Sequence, residues 1–157
     1  MNARNQNYRP KPRSQQNQKE IRRKVLVKPE AFAEAAELWG FSEFNDCGVV
    51  PSNEEIIVDA SPCKASVRIT ESTKGYWLMS YTAETSISGV GSCPNVFNSI
   101  GFRSREDAIT AGTCQIKKFY QSELSQKGSH RSAQQIKVEQ ALKLIEQNQN
   151  QPELNLF

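Results

Sequence analysis

The chain has 157 residues, enough for one domain with terminal extensions, and 20 Lys and Arg against 17 Asp and Glu give it a net charge of +3. Its amino terminus lacks the apolar stretch of a signal peptide, and no apolar run approaches transmembrane length. These features argue against a membrane protein and predict a cytoplasmic one.

The positive charge is concentrated at the amino terminus. Residues 1–28 carry nine basic side chains and one acidic side chain, a net charge of +8, whereas the rest of the chain carries −5. Asn, Gln, Arg and Pro dominate residues 1–20, which have too little apolar surface to offset the entropy cost of ordering. The composition predicts a disordered basic arm over residues 1–24 with an anionic partner.

The first predicted helix begins near Pro29 and stops at Gly40, because proline suits the first helical turn and glycine the carboxyl-terminal stop. Its apolar residues recur at helical spacing and predict a buried stripe, which consists of Phe32, Ala35, Ala36 and Trp39. Residues 41–53 contain Gly, Pro, Ser and Asn and are predicted to form a connection.

Three or four strands are predicted next. Residues 54–60 are a short apolar run, and residues 64–71 alternate between apolar and polar side chains. The apolar face of this second run consists of Ala65, Val67 and Ile69. Residues 72–75 read as a turn that joins the second run to a third, so the two runs are predicted to form an antiparallel hairpin.

The third run covers residues 76–82, and its predicted core face consists of Trp77, Met79 and Tyr81. Residues 84–95 then contain two glycines and a proline and are predicted to be a loop. The last predicted strand spans residues 96–102.

Two helices are predicted to complete the domain. The first starts after Ser104, a favourable N-cap, and its predicted core face consists of Ala108, Gly112, Ile116 and Phe119. The second covers residues 132–146, with an apolar face that consists of Ile136, Ala141, Leu142 and Ile145.

The element order predicts an α+β domain over residues 25–146, with a small, mainly antiparallel sheet of three to four strands and helices packed on one face. Its expected core residues are Trp39, Val67, Ile69, Trp77, Met79, Phe102, Ile116 and Phe119. Residues 147–157 are predicted to be a flexible tail.

The sequence offers little for catalysis. Its four cysteines are widely spaced without a C-x-x-C pair, and His130 is the only histidine, so neither a zinc site nor a Cys–His nucleophile is expected. The spacing favours four free thiols. We therefore expect a protein that is not an enzyme and that needs no metal or cofactor.

The basic arm is predicted to contact nucleic-acid phosphates, in DNA or RNA, without reading sequence. The candidate contact residues are Arg9, Arg13, Arg22, Arg23 and Lys24. The alternative is a basic tail that only improves solubility, since such tails are common.

The last seven residues, Q-P-E-L-N-L-F, resemble the short peptides by which DNA polymerases, mismatch-repair proteins and mobile-element proteins bind sliding clamps. The matching residues are Gln151, Leu154, Leu156 and Phe157. The chain departs from the compact bacterial pattern at Glu153, where that pattern has glutamine. The alternative is that the apolar residues of the tail pack on their own domain or add an edge strand.

Together these features predict a non-catalytic, nucleic-acid-associated accessory protein of a bacterial replication or repair system or mobile element, docked to the sliding clamp by its carboxyl-terminal peptide. The alternative is a protein–protein adaptor or inhibitor that binds a partner through its sheet face or through the loop of residues 84–95, with the tail packed on its own domain.

Overall fold

A computed structural model describes residues 29–97, 99–125 and 133–149. Within these residues it contains three helices and a mainly antiparallel sheet, which confirms the predicted α+β class. In chain order the elements are α1 (Pro29–Trp39), β1 (Asn53–Ala60), β2 (Cys63–Glu71), β3 (Trp77–Glu84), β4 (Gly89–Gly91), β5 (Gly101–Phe102), α2 (Arg105–Ser125) and α3 (Ala133–Gln149).

The strand order in the sheet is β1-β2-β3-β4, and β5 pairs with β3. Strand β4 lies inside the segment predicted to be a loop, and it pairs antiparallel with β3 so that Thr82 faces Gly91 and Glu84 faces Gly89. A three-residue Gly-Val-Gly strand is too short to show alternation, which is why the sequence prediction missed it. The predicted strand over residues 96–102 is reduced to the two residues of β5.

The chain forms two compact units. The described residues of the first unit lie within 29–53, 68–79 and 93–108. Those of the second unit lie within 54–67, 80–92 and 109–149.

The core of the first unit is built on α1. Its predicted stripe is confirmed, because Phe32, Ala35, Ala36 and Trp39 are all buried. They pack in one cluster with Val50, Leu78, Val96 and Phe97. The indole Nε1 of Trp39 donates a hydrogen bond of 2.9 Å to the carbonyl oxygen of Val96, so the one polar atom of this buried ring is satisfied.

Gly48 supports the same core from the connection between α1 and β1. Its φ of 74° lies in the left-handed region, where residues with a side chain are disfavoured. A Cβ atom at this position would lie 2.5 Å from Cδ1 of Phe32 and 3.1 Å from Cγ2 of Val96. The connection therefore approaches the core more closely than any residue except glycine allows.

The core of the second unit joins strands to α2 and α3. Its buried members include Val58, Ala65, Val67, Ala83, Ile116, Tyr120, Val138, Ala141 and Ile145. The hydroxyl of Tyr120 is shared between two backbone acceptors, the carbonyl oxygens of Lys64 at 3.0 Å and Glu84 at 3.2 Å. Burial raises the pKa of the Tyr120 phenol well above its ordinary value, so the group stays protonated as this donor role requires.

The predicted core face of β3 is wrong. Leu78 and Ser80 are the buried side chains, whereas Trp77, Met79 and Tyr81 are half-buried. Alternation separates the two faces of a strand but does not say which face is covered. Leu78 is covered because it belongs to the α1 cluster, although its face carries fewer apolar residues than the other.

In both carboxyl-terminal helices the buried face is displaced slightly around the helix from the predicted face. In α2 the buried positions continue at steps of four residues from Ala108 through Ile116 to Tyr120, and Phe119 is only half-buried. In α3 Val138 is buried and Ile136 is 44% exposed. Phe102 is also only half-buried, while the expected core positions in β2 are confirmed.

Substitution of two glycines tests the close approach at Gly48. We expect Gly48→Ala to lower the free energy of unfolding by roughly 2–4 kcal/mol, because left-handed strain and overpacking against Phe32 add. Gly75 is the matched control, since its φ is 75° but a Cβ added there would meet no atom within 4 Å. Gly75→Ala should cost about 1 kcal/mol, from backbone strain alone. Equal losses in urea unfolding would contradict this account.

Substitution of Tyr120 tests the shared hydroxyl. Tyr120→Phe should lower the free energy of unfolding at neutral pH by about 1–2 kcal/mol, because the carbonyl oxygens of Lys64 and Glu84 lose their shared donor. Since the folded pKa lies above the ordinary value of 10, the contribution of the phenol is fully present below pH 10 and is lost as the pH rises from there through the folded pKa. Urea unfolding at several alkaline pH values should show a smaller decline for Tyr120→Phe than for the wild type. A decline of equal size in both proteins would refute the assignment.

Candidate functional site

The residues predicted to bind nucleic acid or a clamp lie outside the described residues. They are Arg9, Arg13, Arg22, Arg23 and Lys24 in the arm, and Gln151, Leu154, Leu156 and Phe157 in the tail. The structure does describe the point from which the tail departs, and it also describes the loop of residues 84–95 that the alternative prediction invokes.

The carboxyl end of α3 is secured to the second unit. Ile145 is buried, and one turn later the side-chain amide of Asn148 donates to the carbonyl oxygen of Ile57 on β1 at 3.3 Å. Lys117 Nζ on α2 donates to Gln149 Oε1 at 2.5 Å. The helix thus extends three residues past Glu146, where the polar tail was predicted to start, and the tail follows from a fixed point beside β1.

The turn between β3 and β4, residues 85–88, is closed by its own side chains. We name it the 85–88 turn. The backbone amide of Thr85 donates to the carbonyl oxygen of Ser88 at 2.8 Å, and Thr85 Oγ1 accepts from the amide of Ser88 at 3.1 Å. Thr85 is buried, and its hydroxyl oxygen accepts hydrogen bonds from the backbone amides of both Ile87 and Ser88.

Both helices of the second unit brace this turn. Ser88 Oγ donates to Glu123 Oε2 on α2 at 2.6 Å, a short bond to a carboxylate. On α3, Gln134 accepts from Ser86 Oγ at 2.9 Å and donates to Thr85 Oγ1 at 3.4 Å. Three of the four turn side chains are therefore tied to the helices or to one another.

The fourth turn side chain, Ile87, points away from this network. It is 81% exposed, the most exposed large hydrophobic residue of the described part of the chain, and Val90 on β4 is 38% exposed. Within the described residues β4 lies at one end of the strand order, so its outer edge can pair with another strand. A rigid turn that presents an apolar side chain beside a sheet edge is suited to contacting a protein.

Sequence reasoning placed this segment in a loop but missed Ile87, Glu123 and Gln134. One signal was available, because Ile87 is a single large apolar residue in the polar run T-S-I-S-G. The supporting residues could not be predicted from sequence, since Glu123 and Gln134 are 35 and 48 residues away from their turn partners.

A second polar group lies on β1, β2 and β3 of the second unit. Ser66 Oγ donates to Glu54 Oε1, and Thr82 Oγ1 lies 2.8 Å from Ser66 Oγ. Since the single hydroxyl hydrogen of Ser66 goes to the carboxylate, Thr82 is the donor in the second bond. Ser66 is only 7% exposed, which suits a cross-strand link better than an attacking nucleophile.

The thiols are unpaired, as their spacing suggests. Cys63 is buried, and Cys47, Cys93 and Cys114 are exposed. Burial raises the pKa of the Cys63 thiol, an effect partly offset by Lys137. Among the described residues no group of three or more His, Cys, Asp or Glu side chains is placed to hold a metal ion.

Two shallow hollows flank Phe44 in the first unit. The larger, of about 450 Å³, is lined by Ala33, Glu37, Gly40, Phe41, Ser42, Phe44 and Thr73. The smaller, of about 420 Å³, is lined by Glu43, Phe44, Asn45, Val49, Val50 and Pro51. Both are open to solvent, unlike the enclosed clefts that bury most of a small-molecule ligand.

These features define an α+β protein whose described surface bears a turn held by two helices, beside one edge of the sheet. No protein-family model matches the chain, and no curated protein and no solved structure matches it either. No helix among the described residues combines the length and apolar content needed to cross a bilayer.

Proposed function

We propose that the protein is a cytoplasmic, non-catalytic accessory protein of a bacterial replication or repair system or mobile element. In this proposal the peptide Q-P-E-L-N-L-F docks on the sliding clamp and the basic arm contacts DNA or RNA. The observation that carries the proposal is the peptide itself, which places two leucines and a phenylalanine after a polar spacer.

The physical basis of the docking is the burial of these apolar side chains. Each one gains roughly 1.5–3 kcal/mol when it moves from water into an apolar pocket. Ordering a loose segment offsets part of this gain, so the peptide alone should bind with modest affinity. A second contact between the basic arm and nucleic acid threaded through the clamp would strengthen binding by raising the effective concentration.

The described end of α3 supports this arrangement. Asn148 and Gln149 are held by Ile57 and Lys117, so the last described residues before the peptide are fixed to the body. The eight residues after Gln149 span up to ~26 Å when extended, which is enough to present the peptide clear of the body.

Clamp binding tests the proposal directly. The full chain should bind a purified bacterial sliding clamp saturably, and Leu156→Ala/Phe157→Ala should weaken binding at least about tenfold, because two buried apolar side chains are lost. Asn155→Ala is the matched control within the same peptide and should retain binding. Calorimetry provides the measurement. Absence of binding by the wild-type chain and by an isolated peptide of residues 148–157 would refute the clamp proposal.

The nucleic-acid arm is tested in parallel with a labelled duplex. Wild-type binding should fall steeply with salt, and replacement of Arg22, Arg23 and Lys24 by alanine should weaken it and reduce the salt slope by about two to three units. Indifference of the wild-type chain to DNA and RNA would remove this part of the proposal and favour a protein adaptor.

The 85–88 turn favours a second candidate function, a protein–protein adaptor or inhibitor. The specific observation is that Ile87 is 81% exposed while its neighbours Thr85, Ser86 and Ser88 are hydrogen-bonded to α2 or α3. Pre-organisation of this kind reduces the entropy lost on binding, and a protruding apolar side chain can fill a pocket on a partner.

A pair of isoleucine substitutions tests this candidate. Ile87→Asp should leave the free energy of unfolding within about 0.5 kcal/mol of wild type, because the side chain is already in water. Quantitative affinity capture from the source organism should show proteins that bind the wild type but not Ile87→Asp. Ile100→Asp, at an isoleucine that is 42% exposed, is the control and should retain them. Identical captured sets for all three chains would contradict the adaptor function.

A further inference from the structure

Strand β1 presents an exposed apolar edge. It lies at one end of the strand order among the described residues, so β2 is its one partner there. Ile56 in the middle of β1 is 72% exposed, and the adjacent Ile57 is half-buried. An eight-residue strand at the edge of a sheet can pair with another extended segment, here outside the carbonyl oxygen of Ile57, which Asn148 already occupies.

The carboxyl end of helix α3 lies beside this edge of β1. Asn148 donates to the carbonyl oxygen of Ile57, so the face of α3 that bears Asn148 lies against β1. Leu144 precedes Asn148 by four residues and therefore shares that face. Leu144 is 37% exposed. The edge of β1 and this face of α3 meet at Asn148, and each element bears an exposed apolar side chain, Ile56 and Leu144. We name the surface between these two side chains the β1–α3 groove.

The chain itself supplies a segment that fits this groove. Residues 150–157 follow directly from α3 at the point where the helix meets β1, and they end in two leucines and a phenylalanine. In an extended segment Leu154 and Leu156 point to the same side, as a strand laid along an edge requires. Pro152 is suited to the turn that would redirect the chain along β1.

We infer that residues 150–157 dock in the β1–α3 groove of their own chain when no partner is bound. Covalent attachment beside the groove gives the tail an effective concentration in the millimolar range, so weak contacts suffice. The apolar side chains of the tail then cover Ile56 and Leu144. The docking does not depend on the proposed clamp, but its regulatory meaning rests on that proposed function, because a docked tail is withheld from the clamp.

Methyl NMR of the full chain tests the docking without any partner. The methyl signals of Ile56 and Leu144 should shift in the variant Leu154→Ser/Leu156→Ser/Phe157→Ser, because the tail no longer covers them. The methyl signals of Ile87 and Ile100, which are exposed elsewhere, are the internal controls and should not move. Unchanged signals from Ile56 and Leu144 would overturn the inference.

Clamp titrations then test the regulatory consequence. The full chain should bind the clamp at least about threefold more weakly than the peptide of residues 148–157. The reason is that only those molecules whose tail is undocked can bind the clamp. Ile56→Thr keeps a β-branched residue in β1 and should bring the full chain close to the affinity of the peptide. Equal affinities of wild-type chain and peptide would overturn the regulatory consequence. A peptide that fails to bind the clamp would refute the proposed function, while the NMR result would still decide the docking.

Discussion

The second unit depends on one buried hydroxyl. Tyr120 is fully buried, and its hydroxyl must find an acceptor because an unpaired polar atom in a core costs about 1–3 kcal/mol. It finds two, the carbonyl oxygens of Lys64 and Glu84. Since these acceptors belong to β2 and β3, the bond fixes how far along the two strands α2 can lie, and this placement brings Glu123 within reach of Ser88.

In the first unit, too, a buried aromatic side chain has a polar atom that needs a hydrogen-bond partner. Trp39 is fully buried at the end of α1, and its indole nitrogen is satisfied by Val96. Val96 is held in turn by its backbone amide, which donates to the carbonyl oxygen of Gly48 at 2.9 Å. The ring of Trp39, the backbone of Val96 and the close approach of Gly48 are therefore linked by consecutive hydrogen bonds.

The sequence predicted the features that rest on local chemistry and missed those that rest on distant contacts. The α1 stripe, its stop at Gly40 and the N-cap of Ser104, which accepts from the amide of Asp107 at 3.1 Å, follow from residue type and spacing. The choice of Leu78 over its neighbours as the core side of β3 does not, because it depends on which face α1 covers. The supports of the 85–88 turn depend on helices that come much later in the chain. The arm and tail residues lie outside the described residues, so their roles stay predictions.

The two edges of the sheet differ in their capacity for unwanted self-association. Strand β4 has only three residues, two of them glycines, and offers few backbone groups to a neighbouring molecule. Strand β1 has eight residues, and although Asn148 occupies the carbonyl oxygen of Ile57, it offers a longer edge and an exposed isoleucine to a neighbouring molecule. We therefore expect any aggregation of the protein to begin at β1 rather than at β4, so that covering β1 should limit it at high concentration.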